Sequence, residues 1–269
     1  MDERRAGVRT GRREGVAGGR GATFPAWPLL VAAPLLVAQG AWVRRVTPKL
    51  PEADGPREGR RGDGASLRLL IVGDSSAAGV GADHQDRALA GRLADALARR
   101  GRAVHWRLVA RTGVDARELA GLLDECPTGE FDVALLVVGV NDVTGRRSAS
   151  AWRRDLDALR ARLAAGAPGA PVVASGLPPM HRFPALPQPL RAYLGARARA
   201  FDAALAHWAA ETPRTVHRPL PDMTDPAMAA SDGFHPGPGA YAAWGMDLAP
   251  VIDALARRPD EHVRKGRRA

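Results

Sequence analysis

A single cysteine, Cys126, occurs in the 269 residues. No disulfide can form within the chain, and no cysteine-rich metal site can be built. Lysine is almost as scarce: only Lys49 and Lys265 are present, so arginine carries nearly all the positive charge. The glycine-rich stretch at 73–81 has no Gly-Lys-Ser/Thr after it, and it reads Gly-x-x-x-x-x-Gly-x-Gly rather than Gly-x-Gly-x-x-Gly. Neither nucleotide-binding fingerprint is present, and a phosphate-cradling loop is set aside. The sequence shows no internal repeat.

The centre of the chain also lacks a charge excess. Of the net charge of +10, residues 1–66 carry +5 (12 basic, 7 acidic) and residues 257–269 carry +4 (6 basic, 2 acidic). The stretch 67–256 holds 21 basic and 20 acidic groups, a net +1. A nucleic-acid partner calls for a basic face on the folded domain itself, so none is expected. Basic ends around a membrane segment would lie on anionic lipid headgroups. Solvated Arg-rich ends account for the same charge equally well.

Residues 1–20 are Arg/Gly-rich and expected to be disordered. Residues 21–43 carry no charge, and Trp27 and Trp42 lie near the two ends of the run. Such a run is long enough to cross a bilayer core of about 30 Å as a helix, with aromatic rings at the interfaces. Pro25, Pro28 and Pro34 weaken that helix but are tolerated within a span. The expectation is an uncleaved anchor, with the chain held at a bacterial inner membrane on a side the charges do not fix. The alternative is a signal peptide cut after Ala38 and Gly40, leaving a secreted protein. Residues 44–66 form a Pro/Gly/charge-rich linker, and 258–269 a basic tail.

The domain is expected over 67–257. Apolar runs at 67–73, 103–110, 132–139 and 171–176, with a weaker one at 214–218, read as buried strands. Amphipathic segments of helical period alternate with them at 86–100, 115–125, 148–165, 190–211 and 239–257. Strands alternating with helices imply right-handed crossovers and a central five-stranded parallel sheet covered on both faces. In such sheets the ligand site lies beyond the carboxyl ends of the strands.

Chemistry-bearing residues follow those strands. The first ends in Gly73-Asp74-Ser75, the second runs into Arg111-Thr112-Gly113, and the third into Gly139-Val140-Asn141-Asp142. Just before the last helical segment comes Asp232-Gly233-Phe234-His235-Pro236. A serine hydroxyl becomes a nucleophile only when a base takes its proton, and histidine does so when a carboxylate orients it. Ser75, His235 and Asp232 supply those three groups. Pro236 disfavours helix at His235, which places the Asp–His pair in a loop. The Ser75 and Gly113 backbone N–H groups and the Asn141 amide are the candidate donors to an oxyanion. Each residue also has a plainer use: Ser75 as a helix cap, Gly113 and Asn141-Asp142 as turn residues. Asp74 is read as structural, Ser76 as a turn residue and Arg111 as a loop ion-pair residue. The small residues after Ser75 are expected to leave room beside its hydroxyl for an ester carbonyl.

Gly73-Asp74-Ser75, Gly113, Gly139-x-Asn141-Asp142 and Asp232-x-x-His235 together resemble the four blocks of the SGNH/GDSL hydrolases, in their order and on the expected strand ends. The resemblance covers roughly residues 67–256. It implies a three-layer α/β/α flavodoxin-like fold and acyl-ester hydrolysis through an acyl-enzyme, with no metal or other cofactor. It also implies that Ser75 is the nucleophile, His235 the base, Asp232 its orienter, and Gly113 and Asn141 members of the oxyanion hole. An acyltransferase or a carbohydrate O-deacetylase on the same scaffold fits the same blocks; a silent binding module that kept the fold is the alternative of another class, and the intact Ser75, Asn141, Asp232 and His235 argue against it.

The proline-rich stretch 176–190 follows the fourth strand and borders the site. Unperiodic loops of this length often form lids. Met180, Phe183 and Leu186 are expected to form an apolar rim for an acyl chain, with a lipid or lysophospholipid ester as a plausible substrate. A surface crossover is the alternative.

Overall fold

Each apolar run read from the sequence becomes a strand, and their alternation divides one core into two. The computed structural model describes residues 26–257 apart from positions 127, 146 and 224. The expected tails 1–20 and 258–269, and the first residues of 21–43, lie outside the described residues.

Six strands, β1 (Glu58–Arg61), β2 (Ala65–Gly73), β3 (Arg102–Ala110), β4 (Val133–Val137), β5 (Val172–Ser175) and β6 (Thr215–Arg218), form one sheet in the order β1-β3-β2-β4-β5-β6. Strands β2 to β6 are the five expected ones, mutually parallel. The expected all-parallel five-stranded sheet is therefore a mixed sheet of six. The extra strand, β1, runs antiparallel on β3 and lies inside the stretch read as a linker. It has no apolar signal because it covers the edge of β3 rather than filling the core. Glu58 stands opposite Arg107 across the pair, and their side chains form an ion pair of 2.9 Å. The supposed linker is thus part of the domain from about Ala53, which is buried.

Eight helices are described: α1 (Ala26–Val46), α2 (Ser75–Ala78), α3 (Leu89–Ala98), α4 (Ala116–Glu125), α5 (Val140–Thr144), α6 (Ala149–Gly166), α7 (Leu190–Glu211) and α8 (Pro238–Ala256). Leu67, Leu69 and Ile71 of β2 pack with α3 and α8 on one face of the sheet. Leu70 and Val72 pack with α4, α6 and α7 on the other. This is a three-layer α/β/α fold. Without β1, the strand order is the flavodoxin-like one, which puts a crevice where the order reverses, between β2 and β4.

The uncharged run expected to span a membrane is helical from Ala26 onward, within α1. Among the described residues, no helix is long and apolar enough to cross a membrane. The C-terminal half of α1 packs on the domain. Val43 is buried in the α7-side core. Gln39 donates to the Gln188 carbonyl (2.6 Å) and accepts from the Leu190 N–H (3.1 Å) at the start of α7.

One buried carboxylate ties α8 to the sheet. Asp253 is 2% exposed and accepts from Arg102 (2.6 Å), Arg257 (3.1 Å) and Arg100 (3.3 Å). Burial opposes its ionisation, yet the hydrogen bonds from Arg257 and Arg102 outweigh that and hold its pKa down at about 2. An unfolded aspartate titrates near ~4, so this stabilisation is complete above that pH and is lost as pH falls toward 2. Asp253→Asn leaves Arg102 buried without its counter-charge and is expected to cost roughly 3 kcal/mol at neutral pH. Denaturant melts should show that deficit shrinking below ~pH 4; a deficit independent of pH would contradict this account.

Candidate active site

Register brings the site together. Gly73, the last residue of β2, stands opposite Ala110 of β3 on one side and Val137 of β4 on the other. The three strands therefore release their chains at one level, with Ser75, Gly113 and Asn141 just beyond. The Asp74 N–H donates to the Val137 carbonyl (3.0 Å), and the chain then leaves the sheet. Asp74 caps α2, its carboxylate accepting from the Ser76 N–H (3.0 Å). Ser75 is thereby fixed as the first residue of that helix, 9% exposed.

His235 arrives on a loop that backbone hydrogen bonds hold: the Ala230 N–H donates to the His235 carbonyl (2.8 Å) and the Gly237 N–H to the Met228 carbonyl (2.7 Å). Gly81 decides how closely that loop approaches α2. A Cβ on Gly81, whose φ is +98°, would lie 2.3 Å from the Pro236 carbonyl oxygen. Gly81 thus makes room for the histidine loop.

The His235 Nδ1 lies 2.6 Å from Asp232 Oδ2, and Nε2 lies 2.9 Å from Ser75 Oγ. A carboxylate only accepts, so the Nδ1–H donates to Asp232; in the neutral ring Nε2 is then the acceptor for the serine O–H. The other Asp232 oxygen accepts from the Phe234 (2.9 Å) and His235 (3.0 Å) N–H groups. Burial pushes the Asp232 carboxyl up, but the hydrogen bonds from the His235 ring and these two amides hold it below its usual range. It stays ionised at neutral pH, facing the imidazole.

Gly113 follows β3 and Asn141 follows β4, the two strands on either side of β2. Gly113 has φ +86° and a Cβ there would meet nothing, so only its backbone conformation calls for glycine. Its loop is pinned by Glu52, which accepts from the Thr112 N–H (2.6 Å). The Asn141 side chain donates to the Val114 carbonyl (2.8 Å), a bond that needs only one of its two N–H groups. The next residue, Asp142, is fully buried and accepts from the Ala116 N–H at the start of α4 (3.2 Å). Arg111 pairs with Glu125 at 3.4 Å.

A cavity of about 190 Å³ opens beside Ser75 and His235. Its walls are mostly apolar, among them Val138, Leu177, Phe183, Met223, Phe234 and Trp244. Of the three residues expected to form its rim, only Phe183 lines it. Met180 and Leu186 are 0% and 2% exposed and pack into the α7-side core. Apolar spacing in a loop gives the same signal whether a side chain faces a cavity or the core beneath. Phe183 packs edge-on against Phe234 (5.0 Å between centroids), and Phe234 against the His235 ring (5.5 Å). Sequence reasoning did not single out Phe234, Glu52 or Trp244; of these, only Phe234 stood beside a residue already marked.

With this geometry in place, similarity to known proteins is informative. The model of the GDSL-like lipase/acylhydrolase family matches residues 71–243. The chain belongs to that family. It is an ester hydrolase. It is 30% identical over 260 residues to a GDSL-like esterase of Mycobacterium tuberculosis, covering 84% of this chain and 78% of that one. Solved structures of similar fold include a lipolytic G-D-S-L family member from Veillonella parvula (TM-score 0.54, 14% identity, 70% of this chain and 99% of that one). A carbohydrate acetylesterase family member from Sinorhizobium meliloti is also similar (TM-score 0.52, 18% identity, 71% of this chain and 99% of that one).

Two buried carboxylates of this esterase behave unlike Asp232. Burial raises Asp74 to about 6. Burial first, then the charges of Asp115 and Asp74, raise Asp142 to about 7. A raised folded-state pKa stabilises most below the unfolded value, and that benefit is lost as pH rises through the folded value. Asp142→Asn keeps an acceptor for the Ala116 N–H and removes the titration. The thermal midpoint of the variant is expected to rise relative to the parent between ~pH 4 and ~pH 7 and then level off. A difference that stays constant, or moves the other way, would contradict the raised pKa.

Proposed function

We propose that Ser75, His235 and Asp232 cleave carboxylic esters through an acyl-enzyme on Ser75. The observation that carries this is the unbroken relay Ser75 Oγ–His235 Nε2–His235 Nδ1–Asp232, at 2.9 and 2.6 Å. Ser75 Oγ bonds to the ester carbonyl carbon while Nε2 takes its proton. The carbonyl π electrons become an oxyanion, facing the Ser75 N–H, the Gly113 N–H and the second Asn141 N–H. Donors already in place where charge develops lower the barrier most. As the C–O bond to the leaving group breaks, the imidazolium gives its proton to the departing alkoxide. A water molecule then adds to the acyl carbon by the same route and releases the carboxylic acid. Asp232, ionised and buried, holds the Nδ1–H tautomer and stabilises the transient imidazolium.

The apolar cavity beside Ser75 supports an acyl chain as the group transferred. Removal of an acetyl group from a carbohydrate is a second reading, favoured by the carbohydrate acetylesterase family member among the proteins of similar fold.

Aryl esters from C2 to C12 offered to the full chain test both readings. Ser75→Ala is expected to lose at least ~10³-fold in kcat. Ser76→Ala should stay within a few-fold. A fully active Ser75→Ala protein would overturn the nucleophile. A preference confined to C2, with acetate released from acetylated sugars, would select the second reading.

A further inference from the structure

Helix α5 carries Asn141 and has only five residues. A helix this short cannot hold its own conformation, and its last carbonyls have no partner within it. The structure supplies one from a distant element. Arg197 of α7 donates through Nε to the Val143 carbonyl (2.9 Å). Its Nη2 faces the carbonyls of Arg147 (2.9 Å), Asp142 (3.4 Å) and Gly145 (3.4 Å). One guanidinium thus gathers the carbonyl end of α5 and the turn after it, where the helix dipole favours a cation.

The guanidinium is itself held in place. Its central carbon lies 5.2 Å from the ring centroid of Phe201 and 5.9 Å from that of Tyr193. These residues are four positions after and four before Arg197, on the same face of α7. Two further bonds, Asn141–Val114 and Asp142–Ala116, tie α5 to the segment after Gly113. Arg197 is not among the residues lining the cavity beside Ser75.

We propose that Arg197 is a positioning residue: by clamping the carbonyl end of α5 it aims the Asn141 amide at the oxyanion. This rests on the reading of Asn141 as an oxyanion donor. Asn141 meets full negative charge only in the transition state, so its misplacement should lower kcat with little effect on KM.

The test uses the full chain, a short-chain aryl ester, and Arg197→Met and Arg197→Lys in both the parent and an Asn141→Ala background. In the parent, Arg197→Met is expected to lower kcat by roughly 10- to 100-fold with KM within about threefold. Arg197→Lys keeps the charge but not the planar fork, so it should fall between the two. In the Asn141→Ala background, where the amide to be aimed is gone, the same substitutions should each cost less than about threefold. Thermal melts establish that each variant is folded; if the methionine variant is not, the lysine variant carries the comparison. A kcat within about threefold of the parent would overturn the proposal, and so would losses equally large in both backgrounds. Ser75→Ala separates the two levels. If it is inactive while the Arg197 losses are independent of Asn141, only the positioning role fails; if it is fully active, the underlying mechanism fails.

Discussion

The hydrogen bond between His235 and Ser75 joins residues 160 positions apart, and most of the architecture serves to close it. The serine is fixed by the sheet, at the end of the second strand. The histidine is fixed by the last helix and the loop before it. Tyr241 of that helix donates to the Val80 carbonyl (2.7 Å), just after the short serine helix. Gly245 lies where a Cβ would meet the Leu93 backbone N at 2.8 Å, so α8 seats directly on α3. The arginine cluster on Asp253 anchors the far end of α8. At Gly81 the missing side chain is one that would hold the histidine loop away. Packing on one face of the sheet is thereby converted into a 2.9 Å contact at its edge.

Three buried aspartates near that contact illustrate how environment divides one side-chain type into different roles. Asp232 receives hydrogen bonds from two backbone amides and an imidazole, and it stays ionised. Asp74 and Asp142 receive fewer, and burial raises them toward neutrality. The ionised one faces the histidine that must become cationic. Asp74 caps α2, which presents Ser75, and Asp142 accepts from the first N–H of α4, which follows Gly113.

The sequence made some of this plain and concealed the rest for physical reasons. Strands β2 to β6 and the longer helices were legible because each buries an apolar face with the right period. Ser75, Gly113, Asn141, Asp232 and His235 were candidates because each follows a strand or precedes a helix, and of these the structure brings Ser75, His235 and Asp232 into one hydrogen-bonded row. Strand β1 was hidden because its Glu58–Arg61 segment is polar and shows no apolar alternation. Helices α2 and α5 are too short to show a period. Met180 and Leu186 looked like a rim because apolarity marks burial without saying under what. The uncharged run 21–43 suggested a membrane span, whereas Val43 and Gln39 join α1 to the domain. Arg197 was invisible because its partners are backbone carbonyls about 50 residues away, which no side-chain pattern records.

Covalent labelling tests the role of Ser75 most directly. An activated phosphonate ester reacts with a serine only when a neighbouring base has made its oxygen nucleophilic. Incubated with the full chain and followed by mass spectrometry of its peptides, such a reagent should add once, at Ser75, and not at all when His235 is replaced by Ala. Labelling at Ser76, or labelling at Ser75 undiminished without His235, would contradict the relay on which this mechanism rests.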